Sequence, residues 1–178
     1  FLHYPKVYPE SLVRYLNRVV PWSVRRATHI LADSAATKLD LEREWGVNSE
    51  KITVLYGGVS SDFRPVTDST QLAGVRQRYN LGDKPYLLAV GTLQPRKNYQ
   101  MLVRAFATVA EKWPGNLYIA GGHGWLYDEM MAEVGRQGLS DRVRFLGFVA
   151  DADLPALYSM AALYLFPSLY EGFGLPAL

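Results

Sequence analysis

The sequence contains no cysteine, which excludes a disulfide scaffold, a thiolate metal cluster and a cysteine nucleophile, and leans mildly towards the cytoplasm. Charge of one sign is also lacking. The 19 Lys plus Arg against 17 Asp plus Glu leave a net +2, too little to argue for nucleic acid as a partner. No apolar run approaches the roughly 20 residues of a membrane span, and the first residues do not read as a signal peptide. The turn after Val90 lacks the G-x-G-x-x-G pattern, which argues against a nicotinamide dinucleotide enzyme. What is present is ordinary for a soluble globular chain: 49% hydrophobic and 20% charged residues. A length of 178 residues suits one medium domain, or a small one with part of another.

The strongest pattern is a recurrence of short apolar runs, each followed by a turn and a helical stretch. The runs are residues 86–91, 116–121, 142–147 and 162–166; the first three end on Gly91, Gly121 and Gly147, and Pro167 follows the fourth. Near-continuous apolar strands are buried on both faces, as in a parallel sheet. Between the first two, Leu102, Ala105, Phe106, Val109 and Trp113 share one helical stripe, stopped by Pro114-Gly115. Helical patterns also cover 125–137 and 151–160. Parallel strands require such crossovers, so the expected fold is α/β: a Rossmann-like, doubly wound parallel sheet.

Earlier in the chain, residues 11–26 form a basic, apolar helical pattern interrupted by Pro21, followed by a strand over 29–33. Ser34 can cap a helix over 35–45 that Gly46 ends, and a strand covers 51–56. Residues 60–70 are polar, contain Pro65 and read as a linker. The chain therefore divides into 1–62, the tail of one Rossmann-type domain, and 63–178, most of a second.

Ligands of open parallel sheets bind beyond the carboxyl ends of the strands. Those ends carry Gly91, Thr92, Arg96 and Lys97; Gly122 and His123; and Glu171-Gly172-Phe173-Gly174. Two adjacent cations, several glycines and a carboxylate suit an anionic ligand with a hydroxyl-bearing part. Arg96 and Lys97 would face phosphate oxygens, while Glu171 would accept from hydroxyls. Gly172 and Gly174 would let backbone amides approach at a helix start near Pro176. Plainer readings stay open: Arg96-Lys97 as solvated loop charge, and the Gly122-His123 stretch as a strand-to-helix turn. The helix over 11–26 carries Arg14, Arg18, Arg25 and Arg26 beside Leu12, Val13, Leu16, Val19, Val20 and Trp22. It reads as an ordinary packed helix with snorkelling arginines, or as one that lies on an anionic membrane. His3 and His29 read as structural, since no partner stands at metal-ligand spacing.

Several segments, taken together, resemble the retaining group 1 glycosyltransferases of the GT-B fold (sequence family 4). They are Ala89–Asn98, Ile119–Trp125, Val143–Phe148 and, most specific, Phe166–Leu178; Val54–Val59 and Ala32–Ser34 fit the same order. The subgroup that matches is bacterial and builds polysaccharide or O-antigen, often as a mannosyltransferase from GDP-mannose. The resemblance implies a two-Rossmann enzyme, with this chain an internal fragment inactive alone. It further implies transfer of a hexose from a nucleotide-diphosphate sugar (GDP-mannose, or a UDP-sugar) to a glycan or lipid-linked acceptor. Lys97 helped by Arg96 would bind the donor diphosphate; Glu171 would stand near the transferred sugar, with Gly172, Phe173 and Gly174 contacting sugar or diphosphate. Thr92 replaces an arginine common in that family. No Asp-x-Asp metal site stands out, so metal independence and no resident cofactor are expected. Location would be cytoplasmic, either free or peripheral at the inner membrane face, and exposed edges would favour self-association. Alternatives are a nucleotide-sugar epimerase or hydrolase of the same architecture, and a non-catalytic nucleotide-binding module.

Overall fold

A computed structural model describes every residue except His123, Trp125 and Leu126, and only the backbone of Tyr127. The chain folds as two compact units: Phe1–Val59 with Tyr170–Pro176 and Leu178, and Ser60–Leu169 with Ala177.

In the first unit, a 3-10 turn leads into α1 (Glu10–Arg26), β1 (Ile30–Ala32), α2 (Ala35–Trp45) and β2 (Ile52–Val54). β1 and β2 pair in parallel, Ile30 opposite Ile52. The sequence suggested an interruption at Pro21, yet α1 runs through it. The proline removes a single amide, and the turns on either side remain hydrogen-bonded. Leu12, Val13, Leu16, Val19 and Val20 are half-buried while Arg14, Arg18, Arg25 and Arg26 are exposed. Trp22 departs from that stripe: it is exposed, with the Arg26 guanidinium 5.3 Å from its ring centroid, a cation–π contact. α2 begins and ends where its signals predict. Ser34 Oγ accepts from the Thr37 amide, and Gly46 closes the helix in the left-handed region at φ 62°. Ala32, Leu41 and Ile52 form a small core with Val24, Ile30, Trp45 and Val47 against it.

The second unit contains α3 (Ser69–Arg78), β3 (Tyr86–Val90), α4 (Tyr99–Val109), β4 (Asn116–Ala120), α5 (Tyr127–Arg136), β5 (Val143–Gly147), α6 (Leu154–Met160) and β6 (Leu163–Tyr164). Its strands run in the order β5-β4-β3-β6, all parallel. Alternate residues of each strand serve opposite faces. Ala89, Leu117, Ile119 and Val143 meet Leu102, Val103 and Phe106 of α4 and Met130 and Val134 of α5. Tyr86, Leu88, Tyr118 and Ala120 meet Leu81 and, from α6, Leu157. The fold is thus α/β with a doubly wound parallel sheet, as the apolar runs predicted. Its buried tyrosines are satisfied: Tyr86 donates to Leu157 O at 2.6 Å, and Tyr118 donates to Leu81 O.

α3 corrects the linker reading, because Ser69 and Thr70 form its first turn. Asp68 Oδ1 accepts from the amides of Thr70 (2.8 Å) and Gln71 (3.2 Å). A capping aspartate with Gln three positions on is a helix-start signal that polar composition masked. At its other end, Asp153 accepts from Arg78 (2.6 Å) and from the Tyr79 hydroxyl (2.8 Å), bracing α3 against the start of α6.

Candidate functional site

A parallel sheet forms its ligand crevice where the strand order reverses. β4 and then β5 lie on one side of β3 and β6 lies on the other, so the reversal falls between β3 and β6. The loops leaving the carboxyl ends of these two strands are fastened together. The Leu169 amide donates to Arg96 O at 3.0 Å, and Asn98 Nδ2 donates to Pro167 O at 3.2 Å. The sequence-selected cations stand in the first of these loops.

Lys97 closes a 3-10 turn, Pro95–Lys97, after which Asn98 at φ 58° turns the chain into α4. Only 8% of Lys97 is exposed. Its ammonium lies 5.4 Å from the centroid of the Phe166 ring, which follows β6. Burying an ammonium is costly, and the ring face offsets part of that cost. Gly91 is the floor of this corner. Its φ is 148°, and a Cβ built there would lie 3.0 Å from Lys97 Cε and 3.3 Å from Nζ. The Tyr99 hydroxyl donates to Gly91 O at 3.2 Å. Arg96 is half-buried, its carbonyl taken by the Leu169 amide, and Thr92 is exposed.

At the end of β4 the constrained glycine is Gly121, which the candidate set omitted. A Cβ on Gly121 would stand 2.0 Å from Gly91 O at a φ of 155°, whereas one on Gly122 would meet nothing within 4 Å. Gly122 contributes through its backbone instead, its carbonyl accepting from the Leu93 amide at 3.0 Å. The signal was available: Gly91 and Gly121 each follow a strand residue, and those residues, Val90 and Ala120, face each other across the ladder. His123 lies outside the described residues.

Glu171, Gly172, Phe173 and Gly174 belong to the first unit. Gly172 O accepts from the Ser34 hydroxyl, and a Cβ on Gly172 would fall 2.9 Å from Asp33 Oδ2. The Phe173 and Tyr56 rings stack with centroids 5.8 Å apart. Gly174 at φ 84° opens a 3-10 turn, Leu175–Ala177, at the helix start expected near Pro176.

Sequence reasoning missed Phe166 as a companion of Lys97. It also missed Ser168, whose hydroxyl oxygen is buried with no hydrogen-bond partner among the described residues, a condition native proteins seldom leave without a use. It overlooked that Asp151-Ala152-Asp153 has Asp-x-Asp spacing. That pair does not read as a metal clamp, because Asp153 is engaged by Arg78 and Tyr79 while Asp151 is exposed. Among the described residues no three His, Cys, Asp or Glu side chains gather as metal ligands. His29 Nε2 lies 2.8 Å from Thr53 Oγ1, and His3 Nε2 3.0 Å from Asp40 Oδ2. No described helix is long and apolar enough to cross a membrane.

Residues 75–178 match the family model described as "Glycosyl transferases group 1", and residues 1–63 that described as "Glycosyltransferase Family 4". The chain is 34% identical over 178 residues to O-antigen chain mannosyltransferase B of Escherichia coli, covering 98% of this chain and 46% of the relative. It is 31% identical over 175 residues to O-antigen chain mannosyltransferase RfbU of Salmonella typhimurium, covering 97% and 45%. The chain thus spans about half the length of these relatives. Among solved structures, Anabaena HepE in complex with UDP and glucose superposes with a TM-score of 0.76 at 23% identity, over 97% of this chain and 46% of that one. WaaG, a glycosyltransferase involved in lipopolysaccharide biosynthesis, superposes at 0.70 and 19% identity, over 83% and 40%. Likeness at such identity establishes the fold.

Proposed function

This chain belongs to the group 1 glycosyltransferases, and on that footing we propose that its protein moves a hexose from a nucleoside-diphosphate sugar to a glycan or lipid-linked acceptor, with retention at the anomeric carbon. The observation that carries the reading is the buried Lys97 ammonium at the reversal point of the sheet, between loops that are hydrogen-bonded to each other. That corner suits the diphosphate. As the sugar departs with oxocarbenium character, negative charge grows on the leaving phosphate, and a fixed cation already in place stabilises it without reorganisation. Lys97 supplies a point charge there and Arg96 a planar fork. Glu171 and the backbone of Gly172–Gly174 orient the sugar hydroxyls, a positioning contribution.

GDP-mannose is the favoured donor, on the strength of relatives named as mannosyltransferases. The reaction in this reading needs no metal, and Asp153 of the Asp151-x-Asp153 pair is already engaged by Arg78 and Tyr79. The exposed arginines and Trp22 of α1 suit peripheral contact with an anionic membrane on the cytoplasmic side. The test is a transfer assay on the intact protein with GDP-mannose and UDP-sugars, reading the product's anomeric configuration by NMR. Retention with GDP-mannose, unaffected by a chelator, is expected. Inversion, or failure with every nucleotide sugar, would overturn the reading.

A further inference from the structure

Glu171 sits in a segment of the first unit whose neighbours on both sides are fastened by α2 and its cap. Ser34 caps α2, and Thr37 and Asp40 follow at intervals of three, so each is a neighbour of the next on the helix surface. The Tyr170 hydroxyl donates to Asp40 Oδ2. His3 Nε2 lies 3.0 Å from the same oxygen, and its ring is 4.6 Å from that of Tyr170. Burial works to raise the Asp40 pKa, but the hydrogen bonds from Tyr170 and His3 outweigh it and hold the carboxyl below its ordinary value. Asp40 therefore stays an acceptor.

Two residues further along, Ser34 has both of its hydrogen-bonding functions in use. Its oxygen accepts from the Thr37 amide at 3.0 Å, capping α2, and its proton goes to Gly172 O. The Gly172 backbone lies so close that a Cβ would stand 2.9 Å from Asp33 Oδ2 and 3.1 Å from Thr37 Oγ1. Phe173 is then held by stacking on Tyr56, with Gly57 below it: a Cβ on Gly57 would be 3.3 Å from the Phe173 ring. Glu171 is thus bracketed, with Tyr170 pinned on one side and Gly172–Phe173 on the other.

We infer that Ser34 and Asp40, acting through Gly172 and Tyr170, are positioning residues that set the direction of Glu171 towards the donor sugar. This rests on the functional reading above, in which Glu171 orients the sugar. In that reading the pins serve the segment that meets the sugar, whereas Lys97 meets the diphosphate, so their loss should affect the reacting geometry more than nucleotide affinity.

The test uses Tyr170→Phe, Ser34→Asp and Ser34→Thr in the intact protein. Aspartate is a good helix cap but has no proton for Gly172 O, so Ser34→Asp separates anchoring from capping; threonine retains both functions. We expect Tyr170→Phe and Ser34→Asp to lower kcat roughly tenfold or more, with donor KM and calorimetric GDP affinity within about twofold of wild type. Ser34→Thr should keep wild-type kcat. If Ser34→Asp does not fold, Tyr170→Phe, which only deletes a hydroxyl, decides the matter. Unchanged kcat in the folded variants overturns the positioning role. Lys97→Met run beside them separates the two ideas, because intact transfer in that variant would overturn the functional reading itself.

Discussion

Gly121 shows how strongly one residue is constrained at the site. Its ideal Cβ position lies 2.0 Å from the carbonyl oxygen of Gly91, and its φ of 155° strains any other residue. Gly121→Ala should therefore push the Gly91 loop away from β4 and lower both Tm and donor affinity, whereas Gly122→Ala, with open space around it, should leave Tm nearly unchanged. Thermal melts of the two variants check this pair of outcomes. Glu133 offers a second prediction at this scale. It is buried, and hydrogen bonds from Arg104 (2.8 Å), Arg136 and Gln137 (3.0 Å) hold its carboxyl far below the ordinary glutamate range. A depressed folded-state pKa stabilises at any pH above the unfolded value of about 4.3 and loses that contribution as pH falls through the folded value. Urea melts should show wild type more stable than Glu133→Gln at neutral pH, with the gap narrowing below about pH 4.

Elements were legible in proportion to the strength of their punctuation. α2 could be bounded to the residue because Ser34 and Gly46 mark its ends by geometry. β3 and β4 were visible as apolar runs because both of their faces are covered. α3 was missed, its surface polar and its one deeply buried residue Val75. The Asp68 cap was its only local sign, and Asp68→Ala should cost about 1 kcal/mol, read as a lowered Tm. β6 is two residues long, so its pairing with β3, which creates the reversal point, could not be read from periodicity alone. The cations were found because charge at a strand end is conspicuous. Phe166 and Ser168 were not, because an aromatic beside a proline and a serine in a loop look ordinary until the fold sets them beside Lys97 or buries them.

Across the whole molecule, the proposed function and the sheet topology meet at one corner: the resemblance implies Lys97 for the diphosphate, and Lys97 stands in the loop after β3 at the reversal point. Parallel order β5-β4-β3-β6 places a crevice after β3 and β6 whatever the chemistry. The two loops there are joined through Arg96 O and Pro167 O, and the buried Lys97 places its ammonium 5.4 Å from the Phe166 ring. The most direct measurement is calorimetric titration of GDP and UDP into the intact protein and its Lys97→Met variant, in which methionine retains the apolar stem over Phe166 without the charge. A diphosphate held by Lys97 predicts measurable binding of at least one nucleotide to wild type and an affinity at least about tenfold weaker in the variant, about 1.4 kcal/mol, at similar Tm. Equal affinities in the two proteins would contradict it.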